Sequence, residues 1–397
     1  MGCGTEVLAI FDCRAKAVPI TERTEITMCD TGGVQPKRRV HFVGSLPAQL
    51  DSPAKAMAFA VDTAGEFLDG TVPGGEADPY RAQWYIRPII DRLDSIPALA
   101  PVRRGDWSTL RSRNTFRLRA GRSLGEADID TALGYAEEAG RATVALADMR
   151  RTDPGLRLQV GIPTPFVIGF IAFEARMLVL RRRSARRGDR SFPYYRPIFD
   201  ATVREINRIH ETLRDNVVFQ LELPAETLLC GHAPAVLRQA VAAAAGRAIA
   251  RLVARAPHDA RFGVHLCYGS LGDKPVVAPR STAPVVTLAN AIARYWPAGR
   301  HLEFVHLPIG DGTQAPVRPR YYGPLARLEL PAATRLVAGL AHPTQPLTQA
   351  RQSLTVAESA YGGLVDVAAP CGLGRYDTVD RARSAVAHAV ALAETDP

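Results

Sequence analysis

Eight short apolar runs, each closed by proline, glycine or a polar residue, alternate with helical stretches along this chain and restrict its fold more than any other feature. The runs fall at 40–43, 67–72, 156–162, 217–221, 262–267, 302–307, 334–340 and 364–369. Continuous apolar character suits parallel strands buried on both faces. Helical patterns occupy 54–67, 127–149, 197–213, 233–256, 285–295, 350–359 and 379–392. Eight strand candidates alternating with helices predict an α/β fold, a (β/α)8 TIM barrel. An open doubly wound sheet is the alternative. Against it, no strand is followed by a glycine-rich dinucleotide fingerprint or a phosphate loop.

The barrel is expected to span 38–397 as a single unit. Residues 1–37 carry no periodic pattern and end in Gly32-Gly33 and Pro36-Lys37-Arg38-Arg39, which reads as an N-terminal extension. Residues 100–130 are Arg-rich and irregular and read as an insertion.

Composition narrows the partners. The chain has 49 basic and 40 acidic residues, a net charge of +9. Only Lys16, Lys37, Lys55 and Lys274 are lysines; the other basic residues are arginines spread along the chain. A nucleic-acid surface would gather them, so none is expected. The best apolar run, 160–173, is broken by Pro163 and Pro165 and is too short to span a bilayer, and the start lacks a signal-peptide pattern, so no membrane association is expected. Six cysteines in 397 residues are too few for a disulfide framework. A cytoplasmic protein with free thiols, acting on small molecules, is expected.

Polar and sulfur residues gather where the strands end: Gly44-Ser45, Glu222, His265, Cys267, His306, His342 and Cys371. In a parallel barrel the carboxyl ends of the strands build the site. Residues two apart on a strand point the same way, so His265 and Cys267 can present a nitrogen and a sulfur to one point. Cys371, closing the last strand, can bring a second sulfur. An imidazole and two thiolates suit Zn2+ with a position left for substrate. The plain alternative is two buried small side chains and a core histidine.

Several segments resemble the cobalamin-independent methionine synthases, in the family's order over about residues 38–395. Val264-His265-Leu266-Cys267-Tyr268-Gly269 is similar to their His-x-Cys segment, and Ala369-Pro370-Cys371-Gly372-Leu373-Gly374-Arg375 to their late Cys-Gly-Leu segment. His41-Phe42-Val43-Gly44-Ser45-Leu46-Pro47 resembles the first-strand motif of the catalytic barrel, and Gln220-Leu221-Glu222-Leu223-Pro224 a segment with an acidic residue. Gly75-Glu76, with Arg81 and Trp84 following, and Phe304-Val305-His306-Leu307-Pro308-Ile309 resemble single-barrel relatives. The resemblance implies a zinc site of His265, Cys267 and Cys371, and transfer of a methyl or other alkyl group to a homocysteine-like thiol, with a methyl-folate as one candidate co-substrate. It implies that Ser45 holds a substrate carboxylate and Glu222 an amino group, with Glu76 a further substrate-binding candidate.

The chain departs from the family at the glutamate ligand, where Pro308 stands. His306 has the same strand parity and is the candidate substitute; Glu303 has the opposite parity, and Asp311 lies in the next loop. His306 and His342 are the catalytic candidates. The chain has no room for the family's second, N-terminal barrel, so the alkyl donor stays open. Two competing readings remain. One is a metal-independent lyase or decarboxylase on the same barrel, resembling the uroporphyrinogen decarboxylases. The other is a non-catalytic relative that binds a thiol or metal. The run Arg181-Arg182-Arg183-Ser184-Ala185-Arg186-Arg187 reads as a solvated surface, Cys3, Cys13 and Cys29 match no metal spacing, and Cys230 reads as a loop bystander.

Overall fold

Parallel strands that cannot satisfy their edges in the open tend to close on themselves, and here eight nearly complete the circle. The computed structural model describes residues 37–74, 77–78, 86–174, 176, 181–183, 189–191, 193–269, 273–310 and 316–395. The strands are β1 Val40–His41, β2 Thr71–Pro73, β3 Arg157–Pro163, β4 Val217–Glu222, β5 Arg261–His265, β6 His301–Leu307, β7 Arg335–Gly339 and β8 Asp366–Ala368. They lie in the order β1-β8-β7-β6-β5-β4-β3-β2, all pairs parallel. The seam is narrowed by a bridge between Val40 and Leu68 and by Asp69 N–H donating to Val40 O at 3.1 Å. This is the (β/α)8 barrel read from the sequence. No helix among the described residues is long and apolar enough to cross a membrane.

Among the described residues twelve helices accompany the strands: α1 Pro53–Ala64, α2 Ile86–Leu93, α3 Glu126–Leu133, α4 Tyr135–Met149, α5 Pro165–Phe173, α6 Tyr195–Leu213, α7 Pro224–His232, α8 Ala235–Arg255, α9 Ala283–Tyr295, α10 Pro319–Tyr322, α11 Leu347–Tyr361 and α12 Val379–Ala393. The helix expected over 127–149 is two, because Gly134 takes a left-handed φ of 68° between α3 and α4. Besides α2 and α10, helices α5 and α7 were not anticipated. Proline stands at the first turn of each, where its missing N–H costs nothing. Thr164 caps α5 by accepting from Val167 N–H at 3.2 Å. Cys230 therefore lies on a buried helix and not in a loop. The weak strand expected at 67–72 begins later, since residues 65–67 form a 3-10 turn. The segment around 100–130 contains an antiparallel ribbon, Leu99–Arg103 with Thr115–Leu118, and its Trp107 and Phe116 are buried in the main core.

The inside of the barrel is unusually polar. Such interiors are normally packed with branched aliphatic side chains. Here the inner apolar cluster among the described residues is Val43, Val218, Phe304, Val337 and Ala368. At the amino ends of the strands sit ion pairs: Arg261 with Glu303 at 2.6 Å, Arg335 with Asp366 at 2.6 Å and Arg335 with Asp69 at 3.2 Å. The middle holds His41, Gln159 and Gln220, all buried. His265 and His306 lie above them. Two glycines make room: a Cβ on Gly263 would sit 2.1 Å from the Phe304 ring, and one on Gly339 would sit 2.6 Å from His306 Nε2.

Candidate metal centre

Strand parity brings His265 and Cys267 to the carboxyl mouth of the barrel from β5 and the turn after it, as expected. Cys371 arrives from the turn after β8. One ligand atom from each of the three lies within 4.8 Å of the others, and all three residues are buried. The two sulfurs are 3.5 Å apart. Gly269 N–H donates to Cys267 Sγ at 3.2 Å, which favours charge on sulfur. The Cys371 thiol is held well below its ordinary range, first by the hydrogen bond from Cys267, then by His265 and the Arg375 guanidinium, against the opposing effect of burial. Two soft sulfur donors, that of Cys371 already biased toward its thiolate, and an imidazole biased toward its neutral form fit Zn2+.

Which nitrogen His265 offers follows from its neighbours. His306 Nε2 lies 3.1 Å from Ala369 O, a carbonyl that can only accept, so that nitrogen carries the proton. Burial, with His265 and His41 nearby, pushes His306 well below the usual histidine range and keeps it neutral. Its Nδ1 is therefore a lone pair, and it accepts from His265 Nδ1–H at 2.8 Å. Burial also lowers His265. His265 Nε2 lies 3.8 Å from Glu222 Oε2, and the same imidazole also hydrogen-bonds Cys371. A nitrogen, a sulfur and a carboxylate gathered in this way suit a cation between them. This tautomer control by a partner behind the ligand is common in metal sites.

These residues line a small pocket at the barrel mouth. Ser45, Glu222, Gly372 and Arg375 complete its polar wall, and Val43, Ile86, Pro163, Val167 and Pro224 its apolar one. Gly44 and Ser45 both have positive φ, 99° and 46°, which turns the chain sharply after β1. Gly372 passes so close to this turn that a Cβ there would sit 2.6 Å from Gly44 O. Ser45 O accepts from Gly374 N–H at 2.6 Å, so the first and last strands share the rim.

The other expected site residues are placed as follows. His306 stands behind His265 with both nitrogens engaged, and it does not line the pocket. His342 is buried at the rim, its Nε2 3.1 Å from Asp273 Oδ2 and its Nδ1 2.9 Å from Thr344 Oγ1, and it too does not line the pocket. Glu303 pairs with Arg261 and Arg157 at the opposite end of the barrel. Glu76, Trp84 and Asp311 lie outside the described residues. Arg375, 2% exposed, ends the Cys-Gly-Leu segment and was missed as a site residue, since one arginine among 45 carries little signal by itself.

No family model and no curated protein matches the chain. Among solved structures, it is similar to a B12-independent methionine synthase from Shewanella sp. W3-18-1, solved in complex with selenomethionine. The TM-score is 0.53 at 12% identity, over 90% of this chain and 96% of that one. Likeness at this level concerns the barrel fold.

Proposed function

We propose that this chain is a zinc-dependent transferase that passes a methyl or other alkyl group to the thiol of a small, homocysteine-like acceptor. The observation that carries the reading is the convergence of His265, Cys267 and Cys371 on one point of a pocket that also holds Glu222 and Arg375. The methionine synthase named above, sharing the barrel, adds support. Zn2+ held by His265, Cys267 and Cys371 would supply the positive charge that deprotonates a thiol near neutral pH.

The chain's own residues do the rest. His265 is kept neutral and aimed by His306. Glu222 receives the acceptor's ammonium group, and Ser45 with Arg375 its carboxylate. The apolar wall of Val43, Ile86, Pro163, Val167 and Pro224 limits water around the reacting sulfur, which strengthens each charge contact. The balanced reaction forms one sulfur–carbon bond, breaks the donor's bond to that carbon and releases the thiol proton.

Metal analysis tests the assignment. The purified chain should carry close to one zinc, and Cys267→Ser or Cys371→Ser should each reduce this to a small fraction. Full zinc content in either variant would refute it.

A further inference from the structure

A line of hydrogen bonds runs up the inside of the barrel from its amino end to the pocket. Asp69 is fully buried and accepts from Thr71 N–H at 2.9 Å, Thr71 Oγ1–H at 2.7 Å and Arg335 at 3.2 Å. Its other partner is His41 Nδ1 at 2.7 Å. His41 Nε2 lies 2.9 Å from Gln220 Oε1. Gln220 Nε2 then donates to Val43 O and, at 2.6 Å, to Glu222 Oε1.

The donors can be assigned from the partners. Val43 O and the Glu222 carboxylate only accept, so the Gln220 NH2 must face them and its oxygen must face His41. His41 Nε2 therefore donates to Gln220. Its Nδ1 faces a carboxylate and donates as well. A histidine donating from both nitrogens is an imidazolium. Its charge is balanced in place: Asp69 and Asp366 oppose His41 and Arg335. Burial alone would push Asp69 up, but His41, Arg335 and Thr71 more than reverse this and hold it well below the usual carboxylate range.

We propose that Asp69, His41 and Gln220 are positioning residues for Glu222: the buried imidazolium fixes the Gln220 amide, which ties down Glu222 Oε1 and leaves Oε2 directed toward His265 and the incoming cationic group. This rests on Glu222 as the ammonium anchor proposed above. The arrangement lets β1 and β2 set the geometry of a carboxylate on β4, across the barrel. A buried amide held by acceptors on one side and a cation on the other has one orientation, so the carboxylate is held ready before substrate enters.

The zinc-loaded full chain is the test material, with L-homocysteine and its des-amino analogue 4-mercaptobutyrate as probes in calorimetric titrations. Gln220→Leu should weaken L-homocysteine about tenfold, as expected for losing a hydrogen bond to a charged group, and leave 4-mercaptobutyrate within about twofold. In a Glu222→Gln background the Gln220→Leu change should add nothing. Equal weakening of both probes, or additive effects, would overturn the positioning role. If Gln220→Leu fails to fold, Gln220→Met is read by the same criteria. Nitrogen NMR separates the two layers of the argument. Two ring N–H signals from His41 are expected in the parent protein, and a single one overturns the line of bonds even if Glu222 binds the probe. If Glu222→Gln leaves L-homocysteine binding unchanged, the anchor reading fails while the two N–H signals stand.

Discussion

Glu226 shows how strongly one side chain can shape the pH response of this barrel. It is fully buried on α7, accepts from Thr164 Oγ1–H at 2.5 Å, and has a second oxygen with no hydrogen-bond partner among the described residues. Burial pushes its carboxyl up to about 7 from 4.5, against the Thr164 bond. The folded chain therefore binds more protons than the unfolded one between those values. Its stability contribution is complete below pH 4.5 and is lost as pH rises through 7, by roughly 3 kcal/mol. Glu226→Gln should flatten that slope and raise the urea midpoint at pH 8 relative to the parent protein; an unchanged midpoint would contradict it. Glu226 was not legible in the sequence, because a glutamate in the first turn of a helix ordinarily faces water. His265 and Cys267 were legible, because period-two alternation fixes their common direction whatever packs around them.

At the scale of elements, the glycines on the inner face of the barrel decide where the histidines and Phe304 can stand. Gly339→Ala would drive a methyl into His306 Nε2 and Leu307 O. A stability loss of about 1–3 kcal/mol is expected from such overpacking. Zinc affinity should fall too, because His306 sets the tautomer of His265. Gly263→Ala meets the Phe304 ring instead and should cost similar stability while keeping zinc. Urea midpoints paired with zinc titrations distinguish the two, and equal zinc loss in both would argue against the His306 role. The strand runs were readable because their apolar character is local. Helices α5 and α7 were not, because proline signals a break and a helix start equally well, and capping by Thr164 depends on backbone geometry. Gln220 and His41 likewise stand in recognisable segments, but their pairing spans the barrel and has no local pattern.

At the scale of the molecule, the proposed metal ligands Cys267 and Cys371 lie against each other and link the turn after β5 to the turn after β8, across 104 residues of chain. A ligand that binds only the folded state stabilises it, by about 2.7 kcal/mol at a free concentration one hundred times its dissociation constant. Saturating zinc should therefore raise the thermal midpoint by several degrees, a chelator should reverse this, and Cys371→Ser should show neither; a midpoint indifferent to zinc would oppose the proposed site. The sequence by itself determined the alternation of strands and helices, hence the parallel barrel and the rim where a site could form, because each follows from periodicity within a few residues. Only the tertiary structure decided that Cys371 lies against Cys267, that His306 stands behind His265 and that Arg375 lines the pocket. It also filled the barrel with ions and amides in place of aliphatic side chains. Those relations are set by barrel closure, which brings distant strands together at distances that no local pattern encodes.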